Sequence, residues 1–145
     1  MPNIEDFLTP TEEQDIVEAI KKAELNTSGE IRVHIEQSAN GNATNRALEV
    51  FHELKMGNTK LKNAVLIYVA VDDKHFVIYG DEGINNVVPD DFWESTKNAI
   101  QKHFKIGRFK EGLVDGILKS GEQLKKFFPY QDSDIDELPN EISKG

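Results

Sequence analysis

Apolar and polar positions along the chain change period several times, and each change marks an element. Thr9-Pro10-Thr11-Glu12 opens a helix: Thr9 suits the cap, Pro10 the first helical position, and Glu12 completes a capping box. Ile16, Ile20 and Ala23 then recur at helical spacing until Asn26-Thr27-Ser28-Gly29 breaks the stripe. From Glu30 to Glu36 the period drops to two. Ile31, Val33 and Ile35 alternate with Arg32, His34 and Glu36, as in a half-buried strand with a polar outer face. A polar loop over 37–43 leads to a second helix that Thr44 can cap, with Ala47, Leu48, Val50, Phe51 and Leu54 inward, closing near Met56-Gly57-Asn58.

The run Asn63 to Val71 is apolar throughout and rich in Val and Ile, which predicts a strand buried on both faces. Asp72-Asp73-Lys74 turns it back into a strand from His75 to Tyr79. A strand, a helix and a parallel strand imply a right-handed crossover, and the hairpin after it makes the sheet small and mixed. Beyond Gly80 the chain loops through Asn85-Asn86 and Pro89. A third helix follows from Asp91 to about Lys105, capped by Asp90 or Asp91, with Phe92, Trp93, Thr96, Ala99, Ile100 and Phe104 inward. After Gly107 a fourth runs from about Phe109 to Phe128, with Leu113, Ile117, Leu124 and Phe127 inward, until Pro129 stops it. The reading is an α/β domain over 1–129, a sheet of three to four strands flanked by about four helices, with an acidic, solvated tail over 130–145.

Charge and composition narrow the chemistry. The 145 residues carry a net charge of −9, of which residues 130–145 supply −4. Affinity for phosphate backbones comes from Lys and Arg, so nucleic acid is not an expected partner. Cysteine is absent, which removes disulfides and thiolate metal sites. No apolar run approaches the ~20 residues that span a bilayer. Met1 to Asp6 has neither a basic region nor an apolar signal core, so the chain is expected to be cytoplasmic unless a signal precedes this numbering.

Strand direction gathers acid at one end of the sheet. The start of the first strand (Glu30) and the finish of the third (Asp81, Glu82) share an end, and Asp90 and Asp91 follow after a short loop. Two unit charges ~5 Å apart cost about 3 kcal/mol at an effective dielectric of ~20, so such a cluster spreads into solvent, protonates or takes a cation. Oxygen donors without Cys favour Ca²⁺ or Mg²⁺. The competing explanation is structural, with Asp90 and Asp91 capping a helix and Asp81 and Glu82 in a turn. At the opposite end, Asp72 and Asp73 join Gln37, Asn40 and Asn42 at the carboxyl edge of the parallel strands. There a second cation site or a metal-free protein-interaction surface is the expectation.

Other patterns carry less. Asp132-Ser133-Asp134-Ile135-Asp136 starts like an EF-hand loop, but Glu137 stands where that loop needs Gly and Ser143 where it needs Glu. His34, His52, His75 and His103 show no paired metal spacing and read as surface residues. No Gly-x-Ser-x-Gly elbow is present.

The stretch Asn63 to Asp73, the return strand ending Ile78-Tyr79-Gly80-Asp81-Glu82-Gly83-Ile84, and then Val88-Pro89-Asp90 together resemble the TPM domain family. Phe104 to Leu113 resembles that family's connection between its last two helices. The family includes a thylakoid lumen acid phosphatase, photosystem II repair proteins and an acetylcholine-receptor auxiliary subunit, and the resemblance covers about residues 9–129. It implies a three-layer α/β/α sandwich and Ca²⁺ or Mg²⁺ held by acidic residues, matched here by Asp72, Asp73, Asp81, Glu82 and Asp90. The acid converging at one sheet end motivates a cation-binding domain with a regulatory or partner-docking role, and the resemblance, with the same carboxylates, implies metal-dependent phosphatase activity as the alternative. The chain departs from the family at Gly80-Asp81-Glu82-Gly83, where many members read Gly-x-Gly, and at Gly107-Arg108-Phe109, where many read Gly-Asp-Tyr.

Overall fold

The computed structural model describes residues 7–130 and 142–144. In chain order these form α1 (Pro10–Glu24), β1 (Glu30–Glu36), α2 (Ala43–Glu53), a 3₁₀ turn (Met56–Asn58), β2 (Ala64–Ala70), β3 (His75–Gly80), a one-turn α3 (Glu82–Asn85), α4 (Glu94–Phe104), α5 (Phe109–Lys125) and β4 (Ser143–Lys144). The strands make one mixed sheet ordered β3-β2-β1-β4. β1 and β2 run parallel from Glu30↔Ala64 to Glu36↔Ala70, while β3 returns antiparallel from Ala70↔His75 to Val65↔Gly80.

Helices cover both faces of this sheet. Ile31, Val33 and Ile35 of β1 and Val65, Ile67 and Val69 of β2 pack with α1, α4 and α5. Ala64, Leu66, Tyr68 and Ala70 turn the other way, onto Ala47, Val50 and Phe51 of α2 and Met56 of the turn. β2 is therefore buried at all seven residues, as its unbroken apolar run predicts.

Local signals account for most element boundaries. At the start of α1, Glu12 N–H donates to Thr9 Oγ1 (3.1 Å) and Thr9 N–H donates to Glu12 Oε1 (3.0 Å), completing the expected capping box. α2 is capped by Asn42, whose Oδ1 accepts from Asn45 N–H (2.9 Å), not by Thr44. Gly107 adopts a φ of +76°, the left-handed conformation that lets the chain reverse between α4 and α5. Glycine also sets how closely α5 packs. A Cβ on Gly116 would lie 2.5 Å from Ile100 of α4, and one on Gly121 would lie 2.8 Å from the Ala23 methyl of α1.

Several expected details differ. The helix expected from Asp91 begins at Glu94, with Trp93 at the N-cap and no capping side chain, so Asp90 and Asp91 do not cap it. They sit exposed in the preceding turn, where Phe92 N–H reaches Pro89 O and Glu94 N–H reaches Asp91 O. The loop after Gly80 contains α3, which Asp81 opens. Leu48 and Phe127, read as inward, are 38% and 39% exposed: Leu48 is not among the buried residues of α2, and Phe127 lies beyond α5, which ends at Lys125 and not near Phe128. Of the tail 130–145, residues 131–141 and 145 lie outside the described residues, and with them most of the EF-hand-like stretch. Ser143 and Lys144 are not loose: they pair with β1 as the fourth strand.

Candidate functional site

Three of the predicted site residues, Glu30, Asp81 and Glu82, belong to the end of the sheet where β1 and β2 begin and β3 finishes. Asp81 extends the β2–β3 ladder by donating its N–H to Ala64 O (3.0 Å), and Ala64 is also the partner of Glu30 in β1. Residues paired directly across strands share a face. Glu30, Ala64 and Asp81 thus form one row across three strands, on the α2 side, with the smallest side chain in the middle. Strand spacing sets the outer two Cα atoms about 10 Å apart.

Both acids in this row are buried, Glu30 at 4% exposure and Asp81 at 7%. Asp81 Oδ1 accepts from Glu82 N–H (2.7 Å), whereas its buried Oδ2 has no hydrogen-bond partner among the described residues. Tyr79, on the same face, is pushed above the usual phenol range by burial and then by the negative charges of Asp81 and Glu82. Gly83 leaves no room for a Cβ, because the carbonyl oxygens of Leu61 and Lys62 press against it. Backbone oxygen therefore crowds the chain two residues beyond Asp81.

The remaining predicted acids are not drawn into this row. Glu82 is exposed on α3, and Asp90 and Asp91 are exposed in the turn before α4. Among the described residues, no three His, Cys, Asp or Glu side chains gather closely enough to hold a metal ion between them. Shared sheet end does not guarantee convergence: the side chains leave different elements in different directions.

Asp72 and Asp73 occupy the opposite end, in the β2–β3 hairpin, and have structural partners there. Asp73 accepts from Ser38 Oγ (2.9 Å) and from Ala39 N–H (2.9 Å), and Asp72 accepts from Gln37 Nε2. Together they fasten the β1–α2 loop to the hairpin.

The most heavily connected polar group was not predicted. Glu36, expected on a solvated strand face, is 4% exposed beneath α2. Arg46 of α2 grips its carboxylate in a two-pronged pair, Nε to Oε2 at 2.8 Å and Nη2 to Oε1 at 3.0 Å. Tyr68 also donates its hydroxyl to Glu36, and His34 Nε2 lies 3.0 Å from Oε1. With the His34 proton on Nε2, facing the carboxylate, Nδ1 accepts from Ser143 Oγ at 2.9 Å. His34 is 5% exposed and stacks on its cross-strand partner Tyr68, so its reading as a surface residue is corrected. Burial alone would raise the Glu36 carboxyl; the hydrogen bonds from Arg46, Tyr68 and His34 outweigh it and hold the group down at about 2. Burial and the bond to Glu36 push the Tyr68 phenol up. The signal that could have located this network was the apolar stripe of α2. A right-handed crossover helix must cover one face of the β1–β2 pair, and α1, α4 and α5 already cover the other.

Among the described residues no helix is long and apolar enough to cross a membrane.

Comparison with known proteins agrees with this architecture. The chain superposes with a TM-score of 0.94 on the NMR structure of BA42 protein from the psychrophilic bacterium Bizionia argentinensis, at 65% identity over 100% of both chains. It matches the N-terminal domain of a P. gingivalis protein at 19% identity, over 86% of this chain and 82% of that one, with a TM-score of 0.69. The N-terminal domain of cg2496 protein from Corynebacterium glutamicum matches at 12% identity, over 95% and 80%, with a TM-score of 0.64. The last two likenesses are of fold. No curated protein matches the chain. The TPM domain family model matches residues 3–123, and with the mixed four-stranded sheet between helical layers this establishes that the chain belongs to the TPM domain family.

Proposed function

We propose that this TPM domain binds a divalent cation, Ca²⁺ or Mg²⁺, at the sheet end where Glu30 and Asp81 flank Ala64, and that the bound ion serves regulation or partner docking. The observation that carries the reading is the buried Asp81 Oδ2, an acceptor without a hydrogen-bond partner among the described residues. A buried carboxylate oxygen left in that condition costs free energy unless a proton or a cation meets it. Its row-mate Glu30 supplies a second buried carboxylate, on the other side of Ala64 in the same row. Leu61 and Lys62 carbonyls are the nearby neutral oxygens, and Glu82 the nearby exposed acid. An all-oxygen donor set of this kind fits a hard cation, with water completing the shell. Asp90, Asp91, Asp72 and Asp73 are outside this ligand set.

Titration of Ca²⁺ and of Mg²⁺ into the ¹⁵N-labelled chain tests the reading. Amide signals of Gly29 to Ile31 and of Asp81 to Ile84 should move together, and Asp81→Asn should abolish the movement while Asp90→Asn preserves it. Shifts confined to Asp90 and Asp91, or to Asp72 and Asp73, would remove Asp81 from the site. Hydrolysis of p-nitrophenyl phosphate, measured on the same samples, separates binding from catalysis. Metal-dependent turnover lost in Asp81→Asn would replace the docking role with phosphatase chemistry.

A further inference from the structure

β1 has an inner and an outer hydrogen-bonding edge. Its even-numbered residues face β2, from Glu30 N–H donating to Asn63 O (3.4 Å) to Glu36 O accepting from Val71 N–H (3.0 Å). The N–H and C=O groups of Ile31, Val33 and Ile35 therefore point to the outer edge. Exposed edges of this kind are templates for strand pairing. At one end this edge is closed by a side chain, since Ile31 N–H donates to Glu24 Oε2 (3.0 Å). Further along, Ser143 and Lys144 run parallel to it, in register with His34 and Ile35.

Three consecutive side chains of this segment are each met by a different chemistry. Ile142 packs against the apolar core beneath α1, α4 and α5. Ser143 turns to the other face and donates to His34 Nδ1, on a ring fixed from behind by Glu36. Lys144 returns to the α1 side, where its Nζ lies 2.6 Å from Glu13 Oε1. Alternation along a strand dictates this in-out-in reading. Among the described residues the segment pairs with two of the seven residues of β1. Its attachment to the same chain favours this pairing over that of an untethered segment of equal sequence.

We propose that the outer edge of β1 is a strand-addition site for a protein partner presenting an extended aliphatic–hydroxyl–basic segment parallel to β1, and that such a partner displaces Ile142–Lys144. The edge supplies backbone hydrogen bonds, and the core rim, His34 and Glu13 supply the selection. This site is on the far side of β1 from the Asp81 row and does not depend on a cation.

A synthetic peptide with the sequence of residues 140–145, Asn-Glu-Ile-Ser-Lys-Gly, is titrated into the full ¹⁵N-labelled chain and into its Lys144→Glu variant. Amides of Val33 and Ile35 should shift on titration, and signals of Ser143 and Lys144 should move as their segment is released. Weakening the resident segment by one third-exposed ion pair should tighten peptide binding about fivefold in the variant. Without peptide, the Ile35 amide should exchange correspondingly faster in the variant than in the parent chain. A peptide reading Asn-Glu-Asp-Ser-Glu-Gly should not bind. Equal affinity in the two chains, or equal binding of the acidic peptide, overturns the proposal. Ile35 protection that rises with protein concentration alongside a dimer mass also overturns it, because a second copy then holds the edge. Ser143→Ala provides the same comparison should Lys144→Glu lose its far-UV circular dichroism.

Discussion

Arg46→Met removes the guanidinium that holds Glu36 and leaves the aliphatic part of the side chain over the sheet. The carboxylate then stays buried with Tyr68 and His34 as its remaining partners. Two routes give the cost. The Glu36 carboxyl is held at about 2 in the folded chain against 4.5 for the free side chain, and at 1.36 kcal/mol per unit this corresponds to about 3 kcal/mol as the net of burial, which opposes ionisation, and the partners, which favour it. Removing one member of a buried ion pair costs about 3–5 kcal/mol in general. Urea unfolding at pH 7, followed by circular dichroism, should therefore show a loss of about 3 kcal/mol with an unchanged m-value. The sign of the pH dependence follows from the lowered pKa. The parent chain has the full Glu36 contribution above about pH 4.5 and loses it as pH falls toward about 2. The variant, in which burial is no longer opposed by Arg46, has less to lose, so the two stability curves should converge below about pH 3. A gap that stays constant from pH 7 to pH 2 would assign the loss to packing and refute the electrostatic argument. So would a loss under about 1 kcal/mol at pH 7.

Two further outcomes test the packing and the loops. Gly121→Ala adds a good helix former within α5, yet its Cβ would sit 2.8 Å from the Ala23 methyl and 3.1 Å from Ala23 Cα; overpacking should outweigh propensity and cost about 1–3 kcal/mol in thermal unfolding, and a gain in Tm would sink the close-packing account. Asp73→Ala strips Ser38 and Ala39 of their acceptor, so hydrogen exchange at the Ala39 amide should accelerate with a stability loss of about 1–2 kcal/mol, whereas unchanged exchange would mean the β1–α2 loop holds itself.

Much of the fold is written locally. The Thr9–Glu12 capping box needs only residues three apart, and the unbroken run in β2 needs only the rule that a strand covered on both faces must be apolar on both. Parallel pairing of β1 with β2 and the return of β3 follow from element order, which also gave the correct end of the sheet for Glu30 and Asp81. The likeness of Asn63 to Ile84 to the TPM family pointed to the same sandwich. Less of the site was legible. Asp90 and Asp91 are near Asp81 in sequence, but the helix expected from Asp91 starts at Glu94, which leaves both acids exposed in the preceding turn.

Sequence alone determined the main helices, the three central strands and their order, because hydrophobic period and capping act within a few residues, whereas the one-turn α3 and the short β4 emerged only in the fold. Only the tertiary structure decided what the polar face of β1 means. Alternation gives two faces and says that one is polar; it does not say whether water or a helix covers it. Once α2 lies across that face, Glu36 and His34 must find partners inside the protein, and they find Arg46, Tyr68 and Ser143, from 10, 32 and 109 residues away along the chain. Glu30 and Asp81 are likewise buried, on either side of Ala64. Burial converts charges that would be inconsequential in water into groups that must be paired or must bind something, and burial is a property of the assembled layers.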